Sequence, residues 1–426
     1  MLKSEWFIIQ EGNILPEGTY KLFKDDFEIG DIGLKKNNVY ISKFVGFILK
    51  KDKCLISFPK HYFSPSILQK YQPVDDDDKL SLNNDIKLLF RVIKKTAVKK
   101  SARSIGIHND INSSYPLYHF FEVYHYFLNY GLYTNEREVK IAGYSGKIDW
   151  KNTMLKSPLI VSNNNLLYMP MIMKRKINEH AFISKCMAYV IDSTADFLSL
   201  LINIKRTNLE FRDINWNSNN IIIRYLRQIR QTIFKDKQKK LVDSLIKFFE
   251  NEKKGSHSVF IKTRNFDLIW EEMIEFYLQH YFERINENGY IQFSNDKNGE
   301  IKPFKKRTFY PDIEKSKGRS IEPDYYLLEE NARYIFDGKY YNEVTELNYK
   351  QIAYYFLLKH HENNKNDGEL IMTYNILILP THRDTNDENN YVRHFQLNPL
   401  FNKDETNFNV KEQYCNMKNI MQSYLN

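Results

Sequence analysis

Two short strand-like segments, each carrying a carboxylate, constrain this chain more than any other feature of its sequence. Residues 321–328 (IEPDYYLL) and 334–341 (YIFDGKYY) are rich in aromatic and aliphatic side chains, and a short polar turn separates them. This pattern predicts an antiparallel hairpin. Because successive side chains of a strand alternate between its two faces, Asp337 and Lys339 project together. Pairing of the two segments brings Asp324 to the same face.

Two carboxylates and one amine at such a position suit phosphodiester hydrolysis. Carboxylate oxygens bind Mg²⁺, and a bound metal polarises a phosphate and helps to form the attacking hydroxide. The lysine orients the water or neutralises charge that builds on the phosphate. An isolated acid-x-lysine is weak evidence in a chain with 53 acidic residues, where an exposed strand of mixed charge is the ordinary interpretation. The apolar run before Asp337 and the upstream Pro323-Asp324 favour the site.

A second Pro-Asp pair, Pro311-Asp312, precedes this hairpin. Its neighbours are typical of a loop, and no apolar strand follows it. Asp324 is therefore the preferred carboxylate. A helix predicted over residues 267–283 adds two further acids, Glu271 and Glu272, upstream of the strands.

The hairpin and the helix after it resemble a known nuclease domain. The segments EPDYYL, YIFDGKYYN and KQIAYYF resemble LlaJI-type restriction endonucleases and the related McrC subunits, which belong to the PD-(D/E)xK superfamily. The segment GKIDWKNT at residues 146–153 resembles a second signature of that family. The resemblance extends thinly from about residue 140 to 380. It implies that Asp324 and Asp337 bind a metal and that Lys339 is the catalytic lysine.

The resemblance also implies further ligands and contacts. A glutamate from the first helix completes such sites, and Glu271 is preferred over Glu272, while Gly338 offers its backbone carbonyl to the metal. The expected cofactor is Mg²⁺, with Mn²⁺ as a substitute. Three candidate DNA contacts come from the helix after the hairpin, although packing explains Tyr354 almost as well. Three more come from a basic run close to the hairpin in sequence. These six residues are Lys350, Gln351, Tyr354, Lys305, Lys306 and Arg307.

The length of 426 residues is too great for one ordinary core, so a multidomain α+β fold is expected. A β-rich N-terminal region at residues 1–110 is assigned to partner docking or DNA recognition. A mainly helical middle region follows at residues 111–254. The resemblance implies that residues 255–426 form the PD-(D/E)xK nuclease domain, and the order helix, strands, helix, strand predicts an α/β core with a mixed sheet.

Several elements outside the site are well marked. Apolar residues 44–49 and 54–58 flank a lysine-rich turn and predict a hairpin. Helices are predicted over residues 84–100 and 118–130, the latter ended by Gly131. In the C-terminal region, a helix over residues 347–360 and a strand over residues 370–380 are predicted.

The predicted partners follow from charge, absent motifs and the resemblance. The formal net charge of +9 fits double-stranded DNA. Gly143 and Gly146 are separated by two residues where a phosphate loop needs four, so no nucleotide is expected on this chain. The resemblance implies a separate McrB-like AAA+ GTPase or other NTPase. Cleavage of both strands requires dimerisation or two binding events. No membrane segment or signal peptide is evident, and the cytoplasm is the expected compartment.

The favoured interpretation is thus a Mg²⁺-dependent endonuclease subunit of a phage-defence restriction system. Two alternatives stay open at this point. One is a DNA-binding adaptor that retains the nuclease fold without cutting. The other is a stand-alone nickase or repair nuclease on the same fold.

Overall fold

The chain folds into two compact units in the computed structural model. One unit is Met1–Ser114 with Ser256–Asn426, and the other is Tyr115–Gly255. The structure describes residues 5–426 apart from 36–38, 51–52, 72–77, 104–110, 163–164, 181, 200, 213, 253–257, 315–316, 342–343, 360, 362–370 and 406. The expected domain boundaries after residues 110 and 254 lie at positions outside that description. The first unit combines the two ends of the chain.

The N-terminal part of the first unit is rich in strands, as predicted. Its elements are β1 (Glu5–Gln10), α1 (Glu17–Phe23), β2 (Ile32–Lys35), β3 (Val39–Ser42), β4 (Val45–Lys50), β5 (Lys53–Phe58), α2 (Pro65–Lys70), α3 (Asp78–Arg103) and β6 (Ile111–Ser113). The expected hairpin is β4 paired antiparallel with β5, and its turn residues 51–52 lie outside the described residues. The helix predicted over residues 84–100 lies within α3.

A five-stranded sheet organises this part, in the order β1-β5-β4-β12-β6, where β12 is Ser258–Thr263. Its aliphatic and aromatic side chains bury one core that includes Phe23, Phe44 and Ile48. Gly46 allows β4 and β12 to approach closely, because a Cβ at this position would lie 2.2 Å from the Ile261 carbonyl oxygen, and its φ is +135°.

The second unit is mostly helical, as predicted, but it also contains strands that the sequence did not reveal. Its elements are α4 (Leu117–Tyr130), β7 (Thr134–Ala142), β8 (Lys147–Ile148), α5 (Trp150–Lys156), β9 (Leu159–Ser162), β10 (Asn165–Tyr168), β11 (Ile172–His180), α6 (Phe182–Phe197), α7 (Asn219–Thr232) and α8 (Asp236–Asn251). Helix α4 ends where expected: Gly131 has φ +73° and its N–H donates to the Phe127 carbonyl at 2.9 Å. Strands β7 and β11 form a nine-residue antiparallel ribbon.

The C-terminal part of the first unit carries a mixed sheet, as predicted. Its elements after β12 are α9 (Phe266–Tyr281), β13 (Phe282–Ile285), β14 (Ile291–Phe293), β15 (Tyr325–Leu328), β16 (Ala332–Gly338), α10 (Tyr349–Leu358), β17 (Met372–Thr381), β18 (Tyr391–Gln396), β19 (Asn409–Asn416) and α11 (Met417–Leu425). The strand order is β15-β16-β17-β19-β18. The pairs β16/β17 and β17/β19 are parallel, and the two outer pairs are antiparallel.

Both faces of this sheet are covered. Ile335 and Phe336 are neighbours in β16 and therefore face opposite sides. Ile335 packs in one cluster with Tyr354 of α10, whereas Phe336 contacts Phe282, which directly follows α9. Within the described ranges, none of the helices combines the length and apolar character that a membrane span requires.

Candidate active site

The β15/β16 hairpin brings the two predicted aspartates together. The register pairs Tyr325 with Phe336, so the next residues outward, Asp324 and Asp337, lie opposite each other. Their carboxyl groups share a hydrogen bond, and the Gly338 N–H donates to Asp324 Oδ2 at 3.3 Å. Asp337 is only 3% exposed. The hairpin predicted from the sequence therefore sets this carboxylate pair.

Two lysines lie beside the carboxylates. Lys339 Nζ forms a close ion pair with Asp337 Oδ2. Lys306, which the sequence suggested only as a DNA contact, has its Nζ 3.9 Å from Asp324 Oδ1. Each aspartate thus has one cation near it, and Lys306 reaches the site from a segment that precedes the hairpin.

The structure also separates the two candidate glutamates of α9. A Cβ added to Gly338 would lie 3.5 Å from Glu271 Cγ, which places this side chain next to the aspartate pair. Glu272 Oε1 instead accepts a hydrogen bond from the Tyr424 hydroxyl of α11 at 2.8 Å. The one-residue offset on the helix turns the two side chains apart by about 100°.

Gly338 leaves the space that this arrangement needs. The same added Cβ would lie 2.6 Å from the hydroxyl oxygen of Tyr325, and this hydroxyl donates to the Glu271 carbonyl at 2.9 Å. Tyr325 is buried, with 2% of its surface exposed. A glycine between the aspartate and the lysine therefore lets the hairpin and α9 approach each other at the site.

Burial and mutual repulsion dominate the electrostatics of the carboxylates. Burial raises the pKa of Asp324 to about 8, reinforced by the hydrogen bond and charge of Asp337 and by the charge of Glu271. Burial also raises the pKa of Glu271. At neutral pH in the absence of a metal, the aspartate pair therefore retains a proton.

The environment favours the charged form of Lys339, whereas it disfavours the charged form of Asp324. Burial acts to lower its pKa, but attraction to Asp337 and Asp324 outweighs this effect, and the pKa of Lys339 is raised. The lysine is therefore a cation at neutral pH. Its chemistry at this site is that of a positive charge and a hydrogen-bond donor.

The donor set can be compared with the needs of a metal ion. Among the residues that the structure describes, no three histidine, cysteine, aspartate or glutamate side chains are grouped tightly enough to hold one. Mg²⁺ commonly uses only one or two protein carboxylates, with water and substrate phosphate completing its shell. Asp324 and Asp337 are paired oxygen donors that share a proton, and a divalent cation between them would replace that proton. In chemistry and number, the two aspartates fit such an ion.

The residues suggested for DNA contact occupy different environments. Lys305, Lys350 and Arg307 are exposed. Gln351, a residue of α10, is fully buried. Its side-chain nitrogen and oxygen have no hydrogen-bond partner within the described part of the chain. Tyr354 is also buried, and its hydroxyl donates to the Glu322 carbonyl at 3.1 Å, just before the hairpin.

The second Pro-Asp pair lies away from the strands. Asp312 accepts a hydrogen bond from Arg319 Nη1 at 2.7 Å, and the same guanidinium also pairs with Glu314. Residues 311–314 are irregular, Lys317–Arg319 form one turn of 3-10 helix, and residues 315–316, on which the loop prediction partly rested, lie outside the described residues. Asp312 is therefore a useful matched control for Asp324.

A contact from the N-terminal part reaches the segment just after Lys339. The Lys60 N–H donates to the Tyr340 hydroxyl at 2.8 Å, and that hydroxyl donates to Glu11 Oε2 at 2.7 Å. His61 Nε2 lies 3.2 Å from the Tyr341 carbonyl oxygen. Residues separated by 280 positions meet here, and no local sequence signal marks the contact.

Comparison with known proteins adds a family. The family described as LlaJI restriction endonuclease matches residues 44–386, which is most of the chain. This chain belongs to the LlaJI restriction endonuclease family. The resemblance seen in the hairpin sequence is thereby confirmed, and membership supports a subunit of a restriction system. No curated protein matches the chain.

Two solved structures from Thermococcus gammatolerans are similar at low identity. One is the half-complex of McrB AAA+ hexamers with bound McrC: it is 13% identical, the match covers 99% of this chain and 98% of that chain, and the TM-score is 0.40. The other is the cryo-EM structure of the McrBC complex, which is 11% identical, with 63% and 86% covered and a TM-score of 0.23. At these TM-scores the likeness carries no weight for the fold or the site.

Proposed function

We propose that this LlaJI family member is the DNA-cutting subunit of a phage-defence restriction system, a Mg²⁺-dependent endonuclease with a PD-(D/E)xK core. The proposal rests above all on the meeting of Asp324, Asp337 and Lys339 at the ends of two paired strands, in a chain of a restriction endonuclease family. The reaction is hydrolysis of a phosphodiester bond in double-stranded DNA.

Each residue has a defined task in this proposal. Asp324 and Asp337 would hold Mg²⁺, or Mn²⁺ as a substitute, with Glu271 and the Gly338 carbonyl as further oxygen ligands. The bound ion supplies a polarised phosphate and a water of lowered pKa. Lys339 keeps its proton and directs positive charge at the phosphate, where negative charge develops during attack. Its ion pair with Asp337 fixes its position.

The intact set of groups argues against the first of the two alternatives, the non-cutting adaptor. A non-cutting adaptor has no need to retain Asp324, Asp337 and Lys339 together, and a buried pair of aspartates is costly to a fold that gains nothing from it. A nickase or repair nuclease would use the same groups. It is distinguished from the proposed function by whether one DNA strand or both are cut. Double-strand cleavage by one such site per chain requires two copies or two binding events.

We further infer that a separate McrB-like AAA+ NTPase drives cleavage. The sequence resemblance to McrC subunits supports this partner, and the chain has no phosphate loop of its own. The segment between β7 and β11 of the second unit is also unusually apolar for an exposed surface. Its exposed residues include Tyr144, Trp150, Leu155, Val161 and Leu166, each more than half exposed. Such a concentration of exposed apolar side chains is typical of a protein-binding site.

Plasmid cleavage with a matched pair of variants tests the catalytic proposal. Asp324→Asn should abolish cutting of supercoiled DNA in the presence of Mg²⁺, the candidate AAA+ partner and its nucleotide. Asp312→Asn makes the same chemical change at the other Pro-Asp pair and should cut like the wild type. Equal cutting by all three proteins would contradict the proposed site. Nicked circles as the final product would favour the nickase.

The partner proposal has its own test. Val161→Glu or Leu166→Glu should weaken co-elution with the AAA+ protein, because each change places a charge on the exposed apolar segment. Glu250→Gln, on α8 of the same unit, serves as a surface control. Unchanged co-elution of all three variants would exclude this segment from the contact.

A further inference from the structure

An open cleft of about 850 Å³ lies at the edge of the mixed sheet where Lys339 also lies. The Lys339 N–H donates to the Ile378 carbonyl of β17 at 2.9 Å, so β16 ends beside Ile378, and β17 continues three residues further to Thr381. The last residues of β17, Pro380 and Thr381, line the cleft, together with residues that precede α10 and parts of β18 and β19. The cleft thus begins close to the proposed catalytic lysine.

Cationic and protonatable groups gather on one side of this cleft. His61, His382 and Arg383 line it, and Lys60 is adjacent to His61. None of these four residues forms an ion pair with a carboxylate in the part of the chain that the structure describes. Arg383 donates from Nη1 to the Asn389 carbonyl at 2.8 Å, a bond that fixes its guanidinium without neutralising it.

The charges of Lys60 and Arg383 act on Glu11 and Asp387, but the acidic groups that line the cleft form no ion pair with this cluster among the described residues. Glu412 is buried and committed to His394, whose Nδ1 lies 2.8 Å from its Oε1, and to the Tyr414 hydroxyl at 2.6 Å. Glu346 and Glu388 are exposed on the wall. The pKa of His61 is lowered first by burial and then by the positive charges of its neighbours, with no carboxylate acting against them. Within the described residues, no carboxylate is therefore ion-paired with this cluster.

The backbone at His61 adds a second observation. His61 has φ +60°, in the left-handed region that residues other than glycine seldom occupy. Backbone strain of this kind persists where the surroundings hold it and is concentrated at functional sites. Here the contact between His61 Nε2 and the Tyr341 carbonyl ties the cluster to the segment two residues beyond Lys339. Two extended residues span at most about 7 Å.

We propose that His61, His382 and Arg383 bind a backbone phosphate of the DNA strand beside the one that is cut, so that the strand leaves the active site through this cleft. The inference rests on the proposed nuclease function and extends it to a substrate-binding site. A phosphodiester offers the anionic oxygens that a guanidinium and two imidazoles can contact through charge-assisted hydrogen bonds. A repeating backbone also suits an open cleft better than a closed pocket would.

DNA binding measured against salt concentration tests the proposal. The full-length chain carrying Asp337→Asn, which prevents cutting, is titrated into a short fluorescein-labelled duplex between about 50 and 200 mM KCl. Adding Arg383→Gln should weaken binding roughly tenfold and reduce the salt slope by about one. Arg227→Gln is the matched control, since Arg227 is an exposed arginine that is already paired with Glu250. It should leave both quantities unchanged.

Additional outcomes separate the possible failures. Arg383→Lys should retain most of the affinity, which shows that a loss in Arg383→Gln reflects charge and not misfolding. Equal affinity and salt slope for the Arg383→Gln and Arg227→Gln proteins would overturn the inference. So would equally tight binding of inorganic phosphate or a mononucleotide, which would identify a small-anion pocket. If the wild type never cuts DNA but the Arg383 effect appears, the nuclease proposal fails and the phosphate site stands.

Discussion

Replacing Asp324 by asparagine should stabilise the metal-free protein at pH 8 while ending the proposed nuclease activity. The pKa of Asp324 is raised by burial and by Asp337 to about 8 in the folded chain, from an ordinary value of 3.8. The folded state therefore binds this proton more tightly than the unfolded state does. The stabilising contribution is complete below about pH 4 and is lost as the pH rises towards 8.

The size of the effect follows from the same values. A pKa that rises from 3.8 to about 8 corresponds to about 6 kcal/mol of cost to the ionised form. The Asp324 side chain keeps 15% of its surface exposed, and solvent reduces this cost. We therefore expect the free energy of unfolding of the asparagine variant to be larger than that of the wild type by about 2–4 kcal/mol at pH 8, and to differ little from it at pH 4. Asparagine retains the shape of the side chain without its charge.

Urea unfolding in EDTA at the two pH values measures this difference. Asp312→Asn, on an exposed loop, should follow the wild type at both. Addition of Mg²⁺ at pH 8 should stabilise the wild type and have little effect on Asp324→Asn, because the ion would replace the shared proton. A variant whose stability falls with pH as steeply as that of the wild type would refute the reasoning about the paired aspartates.

Three further substitutions test packing and buried polar contacts within the first unit. Gly338→Ala places a methyl group against the Tyr325 hydroxyl and should destabilise the chain by about 1–3 kcal/mol in urea unfolding, and Tyr325→Phe in the same chain should restore part of the loss. Tyr340→Phe deprives the partly buried Glu11 of its hydrogen bond and should cost about 1–3 kcal/mol by the same measurement; no change would exclude a structural role for that contact. On β12, the buried Lys262 forms an ion pair with the buried Asp31, with Nζ 2.5 Å from Oδ2. Lys262→Met leaves the Asp31 carboxylate buried without this partner and should cost about 3–5 kcal/mol, seen as a lower melting temperature, whereas an unchanged melting temperature would show that the pair is dispensable.

The hairpin could be predicted because its signal is local. Alternation along the strand fixes which side chains share a face, and the turn length fixes which carboxylates meet. The positions of Asp324, Asp337 and Lys339 relative to one another follow from these two properties. Helices α9 and α10 could also be predicted from the sequence, because the helical periodicity of their apolar residues is a local pattern.

The rest of the site depends on contacts between distant segments. The choice of Glu271 over Glu272 requires the rotation of α9, which the packing of Trp270 and its neighbours sets. Lys306 belongs to an irregular segment without periodic apolar residues, so its proximity to Asp324 could not be predicted from the sequence. The burial of Gln351 depends on how closely α10 packs against the sheet.

The β7/β11 ribbon was missed for a different reason. Its two strands contain runs of consecutive charged residues, and the segment between them has exposed apolar side chains. The strands and this segment therefore lack the pattern of buried strands that hydrophobic residues reveal. The pairing of strands that are distant in sequence depends on contacts between distant segments, and on any partner that binds the exposed apolar segment between β7 and β11. A single sequence contains little information about either.

Cleavage of supercoiled plasmid by the purified chain with the proposed AAA+ partner, with Mg²⁺ or with EDTA, tests the proposed nuclease function most directly. The wild type should cut only with Mg²⁺, and Asp337→Asn and Lys339→Met should not cut although they remain folded. Lys302→Met, at a lysine paired with Glu329, should cut like the wild type. Cutting that persists in EDTA, or in both site variants with Mg²⁺, would contradict a metal-dependent site at the end of this hairpin.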